Sequence, residues 1–302
     1  MADLRELSTN ERIIVVMGPT GVGKTTFINC VAQRGDHGVG HDIESCTADV
    51  ELIKVGHTIG SRNVVLVDTP GFDDTYRSDI DILTMIAEFL VRAYKKGLPL
   101  DTILYLHRIT DKRMTGSLMK NLKMFVSLCG IQSMPAVTIV TTMWNEVDQI
   151  QGQKREQSLI DKMWFDMIEK GSDVRHFYGT YESALEILGG DPRTVNTPLL
   201  PEEMVGKRRK LKATAAGSEL AREVKSLLKQ RKEASRKLQE LSKQSTNEIE
   251  RRVFEEELHE TNEKIRKANE ESAVLRRGFL DRLFGSKSES SLVPQVGSVS
   301  QS

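Results

Sequence analysis

An apolar run, Arg12 to Met17 (RIIVVM), leads directly into GPTGVGKTTF, Gly18 to Phe27. Gly18, Gly23, Lys24 and Thr25 satisfy G-x-x-x-x-G-K-[ST] between a strand-like and a helix-forming segment, which demands a buried strand ending in an anion-binding turn at a helix N-terminus. The residue types explain the chemistry. Glycines let successive backbone N–H groups converge on an anion, the helix dipole adds partial positive charge, Lys24 reaches terminal phosphates, and Thr25 offers a hydroxyl to Mg²⁺. The candidate phosphate-binding set is therefore Gly18, Pro19, Thr20, Gly21, Val22, Gly23, Lys24, Thr25 and Thr26. The bland alternative, a glycine turn that happens to precede a lysine, lacks a reason for the flanking strand and helix.

Further β-branched runs at Asn63 to Val67, Thr102 to Leu106 and Ala136 to Thr141 are each followed by a loop and a helix-length segment. That alternation predicts an α/β fold, a P-loop NTPase three-layer sandwich with a mostly parallel sheet. Thr47 to Val55 alternates apolar and polar residues and reads as an edge strand beside Asn63 to Val67, with a last strand near Val174 to Tyr178. The expected division is a flexible N-terminus at 1–10, the α/β domain at 11–190, a Pro/Gly linker at 191–201, a helical, coiled-coil extension at 202–284, and a Ser-rich disordered tail at 285–302. In the extension, Leu220, Val224, Leu227, Ala234, Leu238 and Leu241 form a heptad-like seam, and Phe254, Leu258, Ile265, Ala268, Leu275 and Phe279 form a second. The polar KQSTNE between them leaves a helical hairpin and one long helix with a stutter equally open.

The strand at Asn63 to Val67 runs into DTPGFDD, which places Asp68 to hold a Mg²⁺ shell and Gly71 to sense a γ-phosphate through its N–H. Here the chain resembles the translation-factor-related GTPases over roughly residues 11 to 188, and within them the septin and AIG1-like, chloroplast-import-receptor branch. ESCTADV, DTPGFDDTYRSD, YLHRITDKRM and TTMW are similar to fungal G-domain proteins with a helical C-terminal extension. The resemblance implies a GTP or GDP ligand with Mg²⁺ as cofactor, held by Thr25, Thr47 and Asp68. It makes Thr47 a switch threonine and gives Lys24, Thr47 and Gly71 the catalytic roles. His107, Arg108, Thr110 and Asp111 match an arginine-containing box that is either a nucleotide-side or dimer-face element or a plain turn.

The resemblance places base recognition at Thr142 and Asn145, and in ESAL at Ser183 and Ala184, whose N–H would meet the guanine oxygen. An Asp is expected where Asn145 stands. A carboxylate accepts from both guanine N1–H and N2–H₂, whereas an amide presents a donor at one of its two atoms, so Asn145 weakens guanine selection. Asp148 compensates only if the loop shifts, and Met143 and Trp144 offer apolar packing in place of the usual Lys. Phe72 stands where many GTPases carry a water-orienting Gln, so hydrolysis is expected to be slow. Asp73 and Asp74 either take part in it or cap the helix beginning near Ser78.

Charge sets further bounds. The 43 basic and 43 acidic side chains balance, which removes a global drive toward nucleic acid. GKRRKLK at Gly206 to Lys212 gives at most weak contact with an anionic membrane. Three scattered cysteines, Cys30, Cys46 and Cys129, suggest reduced thiols and a cytoplasmic location, and His37, His41, His57, His176 and His259 show no ligand spacing. The expected protein is a slow Mg²⁺-dependent GTPase acting as a switch or assembly module, as a homodimer across the nucleotide face or through a coiled-coil partner. The alternative is a nucleotide-binding scaffold with little turnover and relaxed base specificity.

Overall fold

The computed structural model describes residue 4 and residues 7–33, 49–59, 61–72, 77–111, 116–189, 198–244 and 248–276. Thr47, Asp73, Asp74 and the 285–302 tail lie outside the described residues. Six strands, β1 (Arg12–Met17), β2 (Glu51–Ile59), β3 (Arg62–Asp68), β4 (Leu100–Arg108), β5 (Val137–Thr142) and β6 (Asp173–His176), form one sheet in the order β2-β3-β1-β4-β5-β6. All neighbours are parallel except β2, which runs antiparallel to β3 at the edge. Every β1 residue is buried because helices cover both faces of a parallel sheet, whereas β2 alternates buried and exposed positions as an edge strand does. The predicted fold class is thus the observed one.

Strand alternation divides the interior in two. Ile14, Val16, Leu104, Leu106 and Val140 face α1 (Lys24–Ala32) and α6 (Tyr181–Leu188). Ile13, Val15, Met17, Tyr105 and Ile139 face the larger core built with α2 (Asp79–Lys95), α3 (Gly116–Cys129), α4 (Gln149–Lys162) and the short α5 (Phe165–Glu169). Ser78 caps α2 by accepting from the Asp81 N–H at 3.2 Å, with Asp79 and Asp81 in its first turn and Arg92 and Lys95 in its last, the charge order the helix dipole favours.

The larger core runs past both expected boundaries. Leu4 and Leu7 lie in it, so the expectation of a flexible segment at 1–10 gives way at these two positions. Beyond the 191–201 linker the chain does not leave the domain either. The turn α7 (Leu199–Pro201), a π turn at Glu202–Gly206 and the first half of α8 (Ala215–Gln244) bury Leu200, Met204, Ala216, Leu220 and Val224 against α2 and α3, and a 3₁₀ turn at Leu211–Ala213 adds Leu211 to the same core. Glu203, buried at 3% exposure, receives Arg209 Nη1 at 2.6 Å and the Ala215 N–H at 2.8 Å, fixing an acidic group at the start of α8. Prolines at 192, 198 and 201 suggested a break, yet the chain from residue 198 onward adds side chains to the same core.

Among the two readings of the extension, the hairpin is the observed one. α8 packs along α9 (Glu248–Arg276), and Ser235 Oγ lies 3.1 Å from Asn262 Oδ1. The predicted seam is shared between partners: Leu220 and Val224 belong to the core shared with α2 and α3, while Leu238 is half-buried and Ala234 and Leu241 are exposed. Leu220→Ala is expected to destabilise the protein by about 2 to 5 kcal/mol in denaturant unfolding, and Leu241→Ala by less than about 0.5 kcal/mol.

Candidate nucleotide-binding site

The loop between β1 and α1 has the backbone that an anion cradle requires. Gly21 (φ +75°) and Gly23 (φ +90°) occupy the left-handed region, and Gly23 precedes α1 without any side-chain cap, leaving the helix start to backbone groups. Lys24 is 7% exposed and its Nζ donates to the Gly18 carbonyl at 3.1 Å and the Pro19 carbonyl at 2.9 Å. Thr25 and Thr26 are half-buried on the first turn. Val22 is buried, and its carbonyl accepts from Thr142 Oγ1 at 2.9 Å, lacing the end of β5 to the loop.

The DTPG segment closes over this loop. Asp68 sits buried at the end of β3 in register with Val16 of β1, and Thr69 Oγ1 donates to the Val16 carbonyl at 2.8 Å. Thr20 donates its N–H to the Phe72 carbonyl at 3.0 Å and its hydroxyl to the Gly71 carbonyl at 3.3 Å. A Cβ on Gly71 would stand 2.6 Å from Thr20 Oγ1 and 2.7 Å from Lys24 Nζ, so only glycine fits against the lysine. Lys24, Thr20 and Gly71 therefore converge on one point. The carboxylate of Asp68 and the hydroxyl of Thr25 are hard oxygen donors from adjacent elements, and this donor set suits Mg²⁺. Phe72, 4% exposed, belongs to the core beside α2, so the position after Gly71 anchors the segment and faces away from the cradle.

Of the arginine-containing box, two members have separate jobs. His107 is 2% exposed, packs edge-on against Trp164 at 5.4 Å, and its pKa is pushed down to about 4 by burial. It is a core residue and not a ligand. Its folded value lies below the unfolded one, so its contribution to stability is present above pH 6.5 and is lost as pH falls toward about 4; the loss is at most about 3 kcal/mol. A denaturation series over that pH window, compared with His107→Leu, checks it: the variant's profile is expected to be flatter. Arg108 lies by the cradle instead. Its Nε donates to Asp111 Oδ1 at 2.6 Å, and its Nη1 is 3.7 Å from where a Cβ on Gly21 would stand. Thr110 points to Met143 Sδ at 3.7 Å, and Arg155 Nη1 donates to the Ile109 carbonyl at 3.2 Å, pinning this turn to α4.

On the base side the sequence reading needs correction at several residues. Asn145 is exposed on a 3₁₀ turn, Trp144–Glu146, where the resemblance puts it. Asp148 is not a substitute for it, because its Oδ1 accepts the Gln151 N–H at 3.1 Å and caps α4. Trp144 does not lie along an open base site; its ring is tucked beneath α4 and tilted over His176 at 4.5 Å. Nor is the Ala184 N–H open. Thr180 caps α6 with Ser183 in a capping box, and Ala184, fully buried, donates its N–H to the Thr180 carbonyl at 3.1 Å in the first turn. His176, which has no ligand spacing in the sequence, is half-buried with its Nε2 2.9 Å from Glu156 Oε2.

Residues 177–180, which no sequence motif marks, approach α1: Phe177 meets Phe27 edge-on at 5.1 Å, and Cys30 Sγ lies 3.5 Å from the Gly179 carbonyl. The aromatic alternation of HFYGTY was the available signal.

Residues 13–142 match the family described as 50S ribosome-binding GTPase. The chain is 29% identical over 115 residues to the uncharacterized protein YkfA of Escherichia coli (strain K12), across 38% of this chain and 37% of that protein. It is 34% identical over 110 residues to the tRNA modification GTPase MnmE of Beijerinckia indica subsp. indica, across 35% of this chain and 22% of that protein. The chain thus spans less than two-fifths of the length of these curated relatives. Among solved structures, Toc33 from Arabidopsis thaliana in complex with GDP and Mg²⁺ is similar at 16% identity and TM-score 0.44, covering 62% of this chain and 88% of that one. Translation elongation factor SelB from Methanococcus maripaludis is similar at 12% identity and TM-score 0.40, covering 61% and 33%. By its sheet order and its phosphate loop the chain has a P-loop α/β fold, and residues 13–142 within it match the 50S ribosome-binding GTPase family.

Proposed function

We propose that this chain is a Mg²⁺-dependent GTP-binding protein that hydrolyses GTP slowly and uses its nucleotide state as a switch or assembly signal. The supporting observation is the convergence of Lys24 and Gly71 on Thr20, which joins the phosphate loop to the DTPG segment at a single point. Lys24 would leave the Gly18 and Pro19 carbonyls to meet the terminal phosphates, and the Gly71 N–H would turn toward the γ-phosphate. Thr25 and Asp68, with Thr47, would hold the Mg²⁺. When bound, that ion neutralises charge between the β- and γ-phosphates. Thr142 keeps the loop in place through Val22, and Asn145 reads the base edge.

A GTP state would draw Gly71 toward the γ-phosphate and so shift α2, on which α7, α8 and α9 pack, which makes the hairpin the proposed output element. A homodimer across the nucleotide face, with Arg108 and Asp111 at its surface, is the proposed assembly, in the cytoplasm and without nucleic acid. Among the described residues, no helix is long and apolar enough to cross a membrane.

Competitive binding of GTP, GDP, XTP and ATP with Mg²⁺ tests the reading; GTP and GDP are expected to win, and Asn145→Asp to tighten GTP further. Asp68→Ala and Thr25→Ala are expected to remove the Mg²⁺-dependent gain in GTP affinity. A scaffold reading has its own support in Phe72, which is buried in the core, and in the amide at Asn145. Turnover that rises faster than linearly with protein concentration favours the dimeric switch; turnover at the buffer rate favours the scaffold.

A further inference from the structure

The turn that carries Asn145 has little backbone support. The chain enters it through Met143 at φ +62°, a left-handed conformation unfavourable for a long side chain, and Glu146 N–H to the Met143 carbonyl at 3.2 Å closes it. What fixes it is Trp144. The indole Nε1 donates to Thr141 Oγ1 at 3.0 Å, one face of the ring is tilted over His176 at 4.5 Å, and the ring edge presses on Gly152 of α4. A Cβ on Gly152 would stand 2.7 Å from Trp144 Cζ3 and 3.1 Å from Cε3. Glycine inside a helix costs about 0.5 to 1 kcal/mol relative to alanine, and here the indole supplies the reason for it.

His176 is held from both sides. Its Nδ1 is 3.0 Å from the Tyr178 hydroxyl, its Nε2 is 2.9 Å from Glu156 Oε2, and the other oxygen of Glu156 accepts from Thr141 Oγ1 at 3.1 Å. Thr141, Trp144, His176 and Glu156 form a closed circuit of hydrogen bonds and ring contacts beneath α4. Tyr178, 57% exposed, extends it to the surface next to Gly179 and Thr180. The two loops that flank the base position, 143–148 and 177–180, are thereby fastened to each other, and none of these bonds involves a residue of the phosphate loop.

We infer that Trp144 is the positioning residue of the base-reading turn: wedged between Gly152 and His176, it sets Asn145 against the purine edge and ties it to Tyr178, and so governs base discrimination independently of phosphate binding. This rests on the guanine-nucleotide reading above. A residue holding the turn in one geometry makes the Asn145 amide a directional partner, whereas a loose turn lets the amide rotate toward either purine.

The test measures binding of GTP, ITP, XTP, ATP and inorganic tripolyphosphate, all with Mg²⁺, to the full chain and to Trp144→Phe, Trp144→Ala and Gly152→Ala. Loss of one oriented polar contact is worth about tenfold in affinity, so the preference for the best purine over the worst is expected to shrink by about tenfold in Trp144→Ala and Gly152→Ala. Tripolyphosphate binding is expected to stay within about twofold of the parent, less than the effect of a single lost contact. Trp144→Phe, which keeps a ring but loses the donor to Thr141, is expected to fall between.

Trp144 also supplies a direct signal: GTP is expected to change the intrinsic fluorescence of the parent, tripolyphosphate is not, and the GTP signal disappears in Trp144→Phe, which retains Trp164. Equal losses for all ligands with an unchanged purine ranking would overturn the inference and leave Trp144 a packing residue. A parent that binds all four purines equally would overturn it too, with the phosphate cradle intact. A parent that binds neither tripolyphosphate nor any nucleotide removes the functional reading itself.

Discussion

Lys24→Ala is expected to weaken Mg²⁺–GTP binding by at least about a hundredfold, because hydrogen bonds to charged groups are each worth about 1.5 to 3 kcal/mol and on the proposed reading the ammonium would meet more than one phosphate oxygen. The lysine is already desolvated, at 7% exposure, and held by two carbonyls of its own loop, so little side-chain ordering remains to oppose the contact. Gly71→Ala separates the phosphates. Its Cβ would strike Thr20 and Lys24 at 2.6 and 2.7 Å, which must push the DTPG segment off the loop. GTP affinity is expected to fall by about tenfold or more while GDP changes by less than about threefold, since on the proposed reading only the γ-phosphate would use that N–H. Isothermal titration with both nucleotides reads the difference; equal losses would mean that Gly71 serves only to close the apo loop.

A chain ending at residue 197 is expected to fail to fold. Leu200, Met204, Leu211, Leu220 and Val224 would be removed from the core, and burying each such side chain is worth about 1.5 to 3 kcal/mol. Their sum, roughly 10 kcal/mol, is comparable with the whole stability of a domain, about 5 to 15 kcal/mol. The surface they leave on α2 and α3 is apolar and contiguous, an aggregation liability. A chain ending at 244, which keeps α8, is expected to stay soluble with a cooperative melt. Soluble yield and the melting transition by circular dichroism distinguish the two; a well-folded 1–197 fragment would show that the α/β domain stands without its C-terminal cover.

Much of this was legible in the residues because it depends on local chemistry. Gly21 and Gly23 need positive φ, Lys24 needs a helix start, and Asp68 needs a strand end, so a short motif specifies them. The strands were readable because a sheet covered on both faces requires unbroken apolar runs. Elsewhere the residues were ambiguous. Glu182 to Leu185 reads equally as a base-contacting loop and as the first turn of a helix, and Thr180, by capping α6, draws the Ala184 N–H into the helix. Asp148 likewise reads as a base partner until its bond to Gln151 makes it a cap.

The amino-acid sequence alone determined the phosphate loop, the DTPG segment, the order of strands and helices, and the helical character of the C-terminal region, since each follows from spacing within one element or across one turn. Tertiary structure decided what those elements are packed against. The same apolar positions at helical spacing can face a second chain or their own domain, and only contact with α2 and α3 makes Leu220 and Val224 core residues. Likewise Trp144, Gly152 and His176 are far enough apart in the chain that no spacing joins them; the crossing of α4 over β5 and β6 brings them into one circuit.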